Sequence, residues 1–359
     1  MPAKLSPARA ATPLRWGVGI MTETLAMLAG VPLGEFFRNP DAAIEVFRHG
    51  RPKARAMFGP DVALPSVYVP LMSYGHVNTL GCPLTFLDDS EPGVHPAFDS
   101  LEQGIAALRR PVDFATAGYA PLYLDMFERL KRAFPDERVT FYGFRSEGPI
   151  TTAWALRGHD FFADVMDDPQ GVDTFLRLIT DSLTAFWAFQ QRVHGHANPI
   201  DPDSAGMPDD LSSLLNPNLW PRFVVPAWDR YYRGRTSGKR SIHVENLTRG
   251  HLKYLEDVGI SWYDPSVSPK LTARMIAEEI AIPFKWRLPS FSYATMTEAD
   301  VRAWVRAAFA DGASGVSTAV ENILCDEAST RKIHAFIDEA KAVTEAQPSA
   351  RAAVAAPVS

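Results

Sequence analysis

Apolar positions recur along the chain in two alternating patterns, one typical of amphipathic helices and one typical of strands. The clearest helix begins at Asp168-Pro169, because aspartate is a favoured N-cap and proline is tolerated at the first helical position. Its apolar stripe continues at helical spacing to about His194. The same periodicity predicts a helix over Leu271–Ile280 and another after the cap residue Thr297.

Strand-like runs lie between these helices and are rich in β-branched and aromatic residues. They are Val62–Val69, Val139–Phe144, Ser241–Val244, Ile260–Tyr263, Ile282–Leu288 and Val316–Val320. This alternation favours an α/β fold with a parallel sheet and crossover helices. Roughly eight such units predict a closed (β/α)8 TIM barrel with an N-terminal extension. A doubly wound open sheet is the alternative, but no strand-like run is followed by Gly-x-Gly-x-x-Gly.

Composition limits the class of protein and its partners. We predict a flexible tail over residues 1–13, a single barrel domain over 14–342 and a disordered tail over 343–359. The net charge of −6, without a basic block, argues against a nucleic-acid partner. No apolar run approaches the ~18 residues of a membrane-spanning helix. The two cysteines suit a reducing compartment, so we expect a cytoplasmic protein.

The candidate chemistry centres on His243 and Glu245, which end one strand-like run, and on Cys325, which follows another. Residues i and i+2 of a strand point to the same side, so the imidazole and the carboxylate can converge. Three ligand types just past strands suit a catalytic zinc with an open position. The alternatives are a hydrogen-bonded His–Glu pair without metal and a buried, apolar role for the cysteine.

Several stretches, in the right order, resemble the uroporphyrinogen decarboxylase superfamily. Glu147-Gly-Pro-Ile-Thr-Thr-Ala is similar to the family's GPFTLA motif, and Asp167-Asp-Pro to its DDPE motif. The run that begins at Asp209-Asp210 resembles the family's DD…SLLSPELFREFVLP segment. Ser241-Ile-His-Val-Glu245 lies where the family has LHxCG. The resemblance covers most of residues 140–333 and implies a TIM-barrel enzyme.

Two chemistries occur in that superfamily. Its true decarboxylases have an Arg-Gln-Ala-Gly-Arg motif and a Ser-Asp-Ile-Leu segment, and this chain has neither. Its methyltransferases move a methyl group between a corrinoid protein and a thiol, and bind zinc through an HxC pair and a late cysteine. The resemblance implies that His243 and Cys325 occupy two of these ligand positions, with Glu245 in place of the first cysteine. The chain lacks the corrinoid-binding motif Asp-x-His-x-x-Gly, so a separate protein would carry the corrinoid.

Other residues are candidates through their places after strands or in family motifs. Glu147 is predicted to be a fourth metal ligand or a general acid, with a surface salt bridge as the alternative. Asp209 is a candidate catalytic residue, with helix capping as the alternative, and His76 lies near the position of the missing decarboxylase aspartate. The predicted substrate-binding residues are Tyr74, Tyr142, Asp210 and Trp286, although aromatic residues in such places are mostly core.

The sequence thus predicts a zinc-dependent methyl- or alkyltransferase that activates a thiol or another small nucleophile. The first alternative is a metal-dependent lyase or decarboxylase for a small molecule, in which Glu245 replaces cysteine because no thiolate is needed. The second is a non-catalytic barrel that binds a corrinoid or a tetrapyrrole.

Overall fold

Strands and helices alternate along residues 6–346, the part of the chain that the computed structural model describes. The strands are β1 (Arg15–Ile20), β2 (Leu84–Thr85), β3 (Gly93–Val94), β4 (Ser204–Pro208), β5 (Lys239–His243), β6 (Ile260–Asp264), β7 (Lys285–Leu288) and β8 (Gly315–Val320). The helices are α1 (Pro7–Ala11), α2 (Thr22–Ala29), α3 (Leu33–Arg38), α4 (Pro40–Glu45), α5 (Arg51–Phe58), α6 (Gly75–Thr79), α7 (Leu101–Leu108), α8 (Ala120–Ala133), α9 (Pro149–Arg157), α10 (Asp160–Asp167), α11 (Pro169–Val193), α12 (Trp220–Arg233), α13 (Arg249–Asp257), α14 (Ala273–Glu279), α15 (Glu298–Ala310) and α16 (Glu327–Glu345).

The described chain packs as two compact units, whereas the sequence predicts one domain over residues 14–342. Unit 1 is formed by residues 6–28, 49–65 and 241–346, and unit 2 by residues 29–48 and 66–240. Each predicted site residue belongs to one of them. His243, Glu245, Trp286 and Cys325 lie in unit 1, and the other candidates lie in unit 2.

Unit 1 is built on a parallel sheet in which β8 lies between β1 and β7. Gly315 of β8 pairs with Arg15 on one side and with Lys285 on the other. A parallel bridge between Tyr263 and Phe284 adds β6 beside β7. The predicted α/β class with parallel strands is therefore confirmed, while closure of eight strands into a barrel stays a prediction.

Both ends of unit 1 are ordered beyond the predicted domain limits. The predicted N-terminal tail contains α1, whose Arg9 is only 1% exposed. Its guanidinium donates hydrogen bonds to the carbonyl oxygens of Ile280 and Ala277, at 2.5 and 2.7 Å. At the other end α16 continues to Glu345, and residues 347–359 of the predicted C-terminal tail lie outside the described residues. Nowhere in residues 6–346 is there a helix long and apolar enough to cross a membrane.

Unit 2 packs around the long helix α11, which begins and ends where the sequence predicts. Asp168 caps it by accepting a hydrogen bond from the Gly171 N–H at 2.9 Å, and Pro169 is its first residue. Its apolar stripe is buried because aromatic side chains from neighbouring segments pack on it. Rings in contact with Phe186 or Phe189 of this stripe belong to Phe114, Phe141 and Phe144.

In the described part of the chain, the predicted strand Val139–Phe144 is not a continuous strand but forms isolated parallel bridges, Tyr68 to Thr140 and Met72 to Phe144. Gly143 lies between the bridged residues, and a Cβ atom on it would be 1.6 Å from the carbonyl oxygen of Val69. Only glycine permits so close an approach. The pairing places the segment that follows Phe144, including Glu147, beside the segment that follows Met72.

Candidate functional site

His243 and Asp264 are the last residues of the adjacent strands β5 and β6. Ile242 and Val244 are buried. His243, which lies between them, and Glu245, which follows Val244, are half-buried. Because side chains alternate along an extended chain, this pattern puts His243 and Glu245 on one side, as the sequence predicts. Ligand and catalytic residues commonly occupy the carboxyl ends of strands in α/β folds.

A shared carboxylate joins His243 to Lys285. The Oδ2 atom of Asp264 lies 3.2 Å from His243 Nδ1 and 2.6 Å from Lys285 Nζ. Burial alone would raise the pKa of Asp264, but the His243 hydrogen bond and the Lys285 charge outweigh it and lower the pKa to about 2. Asp264 is therefore ionised at neutral pH. When the imidazole is neutral, this negative charge favours the tautomer with the proton on Nδ1, which leaves the lone pair on Nε2.

A second ion pair in the same unit joins Arg287 on β7 to Glu321, the residue that follows β8. Arg287 donates to Glu321 Oε1 at 3.1 Å and to Ser266 Oγ at 3.2 Å. Ser266 has a positive φ of 45°, and its N–H donates to Asp264 Oδ1 at 3.0 Å. The other non-glycine residue of the described chain with positive φ is Asn246, which follows Glu245. Such backbone conformations are costly and collect at functional sites.

A cavity of about 380 Å³ adjoins these pairs in unit 1. Arg15, Trp262, Lys285 and Arg287 are among the residues that line it. Trp286, which the sequence predicts to bind substrate, lies between Lys285 and Arg287 on β7 and therefore points to the other face. The charged neighbours on either side, and Trp262 on β6, face the cavity instead.

Cys325 lies in the turn after the short 3-10 helix Asn322–Leu324, and its Sγ atom is 4.0 Å from the carbonyl oxygen of Glu321. Burial, and then the nearby Asp326 carboxylate, raise the pKa of this thiol. Within residues 6–346, no group of three or more His, Cys, Asp or Glu side chains is placed to hold a metal ion. The structure therefore does not gather His243, Glu245 and Cys325 into the predicted zinc site, and zinc stays a prediction.

Unit 2 has its own titratable cluster around Glu147. Burial, and then repulsion by Asp210, raise the pKa of Glu147 to about 7, although Arg145 and a hydrogen bond with Ser73 oppose the shift. The pKa of Tyr74 is raised by burial, then by Glu147 and other carboxylates including Asp210. The structure thus brings together three of the predicted residues, Tyr74, Glu147 and Asp210. A carboxyl group that exchanges its proton near pH 7 is suited to acid–base catalysis.

Asp209 is fully buried and caps helix α9. It accepts hydrogen bonds from the Thr151 N–H at 2.7 Å, the Ile150 N–H at 3.3 Å and the Trp228 indole at 2.6 Å. Burial raises its pKa to about 6 even though these bonds oppose the shift. Gly148 makes the approach possible, since a Cβ atom there would lie 2.5 Å from Asp209 Cβ. These contacts favour the capping alternative over the predicted catalytic role.

His76 is fully buried between Phe114 and Phe186 rather than exposed to a cavity. Its Nε2 atom lies 2.9 Å from Ser182 Oγ, and burial lowers its pKa to about 3. It is therefore a neutral residue of the packed interior at physiological pH. Its placement does not support the predicted catalytic role, which would require access to a substrate.

Tyr142 also packs on helix α11. Its hydroxyl accepts a hydrogen bond from Gln191 at 2.9 Å, and its ring stacks on Trp187 with the centroids 5.4 Å apart. These contacts occupy both the ring and the hydroxyl, so they do not support the predicted substrate-binding role.

Sequence reasoning missed Arg15, Asp264, Lys285 and Arg287 as functional candidates. The signal that could have found Asp264 is its place at the carboxyl end of a predicted strand. For Lys285 and Arg287 the signal is a pair of cations two residues apart in a strand-like run.

Comparison with known proteins agrees with the resemblance seen in the sequence. The model of the family "Uroporphyrinogen decarboxylase (URO-D)" matches residues 10–283. Among solved structures, the chain is similar to a methyltransferase from Methanosarcina mazei, with a TM-score of 0.65 and 16% sequence identity. The alignment covers 95% of this chain and 99% of that one, and at such identity the likeness concerns the fold. No curated protein matches the chain.

Proposed function

The chain belongs to the uroporphyrinogen decarboxylase family, and we propose that it is a cytoplasmic enzyme that transfers a methyl or alkyl group to a small nucleophile. The Asp264–His243 pair is the main support for the proposal, because it holds an imidazole in a fixed orientation at the carboxyl ends of two adjacent strands. The fold shared with a methyltransferase supports group transfer, and the absent decarboxylase motifs favour it over tetrapyrrole decarboxylation. The closed (β/α)8 barrel predicted from the sequence is part of the same proposal.

His243 acts as the base in this proposal. Asp264 holds the imidazole proton on Nδ1, and Nε2 takes the proton from the acceptor thiol or hydroxyl. The acceptor atom then attacks the methyl carbon, and the bond between that carbon and its donor breaks with the electron pair left on the donor. Lys285 keeps Asp264 ionised and fixed in place through its 2.6 Å contact.

Glu147 in unit 2 is a second group that can hold or release a proton near neutral pH. Its pKa of about 7 leaves roughly equal protonated and ionised populations there. We assign it the role of a general acid, because burial and the neighbouring Asp210 raise its pKa and keep part of its population protonated at neutral pH.

Zinc and a corrinoid-carrying partner also belong to the proposal. Histidines that bind zinc commonly have their other ring nitrogen on a carboxylate, as His243 has on Asp264. With His243, Glu245 and Cys325 as ligands, zinc would occupy the lone pair of His243 Nε2 and would itself lower the pKa of the acceptor thiol, so His243 acts as the base only in the protein without zinc. The described residues assemble no group of three such ligands.

The experiment that tests the function is a methyl-transfer assay with methylcobalamin as the donor and a small thiol as the acceptor. We expect the thioether to accumulate, as measured by mass spectrometry, while methylcobalamin absorbance falls. His243→Ala should abolish transfer. His159→Ala is the control and should not affect it, because this exposed histidine lies just before α10. Absence of transfer by the wild-type protein loaded with zinc would contradict the proposal.

Decarboxylation or another lyase reaction on a small acid is the second candidate. The observation that favours it is the cationic lining of the unit 1 cavity by Arg15, Lys285 and Arg287. Release of carbon dioxide from a small carboxylic acid, without methyl transfer, would establish it. A volume of 380 Å³ equals about a dozen water molecules, which argues against a tetrapyrrole or corrinoid inside this cavity.

A further inference from the structure

The unit 1 cavity has an uncompensated positive charge. Three cationic side chains line it, and no carboxylate of the described chain is among the lining residues. Two of the cations have partners, since Lys285 pairs with Asp264 and Arg287 with Glu321. Arg15 has no carboxylate within ion-pair distance in residues 6–346, and its guanidinium lies over the ring of Trp262, 5.5 Å from the centroid. Its positive charge is therefore available to a ligand.

Arg287 has a further unsatisfied donor. Its two terminal nitrogens donate to Ser266 and Glu321, whereas its Nε–H is buried without a hydrogen-bond partner in the described part of the chain. A buried donor without an acceptor is unfavourable. An oxygen atom of a bound anion would satisfy it, and a charge-assisted bond of this kind is strong.

Two glycines on one strand leave open space in the cavity. Gly17 and Gly19 of β1 line it, and a Cβ atom built on either would meet nothing within 4 Å. Neither residue has a positive φ, so the backbone does not require glycine there. Ser317 and Ala319 of the neighbouring strand β8 are also small. Small side chains on two adjacent strands leave space that a planar ring can occupy.

We propose that this cavity binds a small monocyclic aromatic carboxylate. The carboxylate pairs with Arg15 and accepts a hydrogen bond from Arg287 Nε, and the ring lies over Gly17 and Gly19. Trp262 holds the Arg15 guanidinium in position for the ligand. That this ligand is a substrate rests on the proposed function. Lys285 connects the two, because it lines the cavity and also contacts Asp264 of the Asp264–His243 pair.

Isothermal titration with benzoate tests the assignment, with benzamide as its neutral counterpart and inorganic phosphate as an anion without a ring. We expect benzoate to bind more tightly than either, and its affinity to fall as salt is added. Arg15→Gln should weaken benzoate binding about tenfold. Arg110→Gln, which removes an exposed arginine outside the cavity, should leave it unchanged.

A second variant tests the shape of the site. Gly17→Leu places a side chain in the open space and should abolish benzoate binding, while its circular dichroism and thermal unfolding show whether the fold is kept. Unchanged affinity in Arg15→Gln, or equal affinity for benzamide, would overturn the anion site. Equal affinity for phosphate would overturn the assignment of an aromatic ligand.

The titration reads binding rather than turnover, so its failure can be told apart from failure of the proposed function. Benzoate binding without methyl transfer would refute the proposed transferase activity but would support the proposed carboxylate site. Methyl transfer in a protein that does not bind benzoate would refute the proposed carboxylate site but would support the transferase activity.

Discussion

The Nδ1 atom of His243 lies 3.2 Å from the Oδ2 atom of Asp264, at the ends of two adjacent strands. The same oxygen lies 2.6 Å from the ammonium group of Lys285. One carboxylate therefore orients the imidazole while a lysine from a third strand fixes that carboxylate. The arrangement makes Asp264 a positioning residue for His243.

Replacement of Asp264 tests this relationship. In Asp264→Asn the amide can present its NH₂ group to His243, which favours the wrong tautomer of the imidazole. We expect kcat/KM for methyl transfer to fall about 10- to 100-fold, as is typical when the partner of a functional histidine is lost. The pH profile of kcat should also shift, because the carboxylate no longer stabilises the protonated imidazole.

Asp338→Asn is the matched control for this variant, since Asp338 is 62% exposed and pairs with Arg302 on the surface. It should keep the wild-type rate and pH profile. Full activity and an unchanged pH profile in Asp264→Asn would show that His243 does not depend on this carboxylate.

Glu147 should make stability fall as the pH rises. Its pKa is about 7 in the folded protein, above its ordinary value of 4.5, so folding favours the protonated form. The contribution to stability is fully present below pH 4.5 and is lost as the pH rises through 7. Glu147→Gln cannot ionise. At pH 8 it should be more stable than the wild type by about 1–3 kcal/mol in urea unfolding.

The gain in Glu147→Gln should disappear at pH 4.5, where the wild-type side chain is protonated as well. Glu102→Gln, which changes an exposed glutamate of α7, should show no difference at either pH. An identical gain at both pH values would mean that ionisation of Glu147 is not its cause.

Asp209 should matter for stability more than for the chemical step. Asp209→Ala leaves three donors without their acceptor, from Ile150, Thr151 and Trp228, in a fully buried place. We expect a loss of about 3–5 kcal/mol in the free energy of unfolding. Trp228→Phe removes one of these donors and should cost less. A drop in kcat per folded molecule without a loss of stability would instead support a catalytic role for Asp209.

Local signals made some elements predictable from the sequence. The helix over Pro169–Val193 begins at its predicted cap and proline, and α15 begins after Thr297, whose hydroxyl and N–H both bond with Asp300. Each signal acts within a few residues of chain, so no knowledge of the fold is needed. The strand β1 was missed because Arg15–Ile20 contains two glycines, which are uncommon in strands.

Contacts between residues that are far apart in the chain could not be predicted from the sequence. His243 was recognised, but its partner Asp264 is fixed by which strands are neighbours, and Lys285 by the register of a third strand. On β7 the sequence pointed to Trp286, whereas the alternation of this short strand turns Lys285 and Arg287 to the cavity. His76 was a polar candidate that the structure buries between Phe114 and Phe186, from segments far away in the chain.

Metal analysis of the purified protein tests which predicted ligands hold zinc. We expect about one zinc per chain by mass spectrometry, lost in His243→Ala, because the Asp264 bond leaves Nε2 with the lone pair that a metal requires. Cys325→Ser should lose the metal as well, because its thiol is the third ligand of the proposed site. Cys82→Ser, at a buried thiol, is the matched control for the substitution itself. Retention of zinc in Cys325→Ser would contradict the three-ligand site and would agree with the described residues, which gather no group of three ligands.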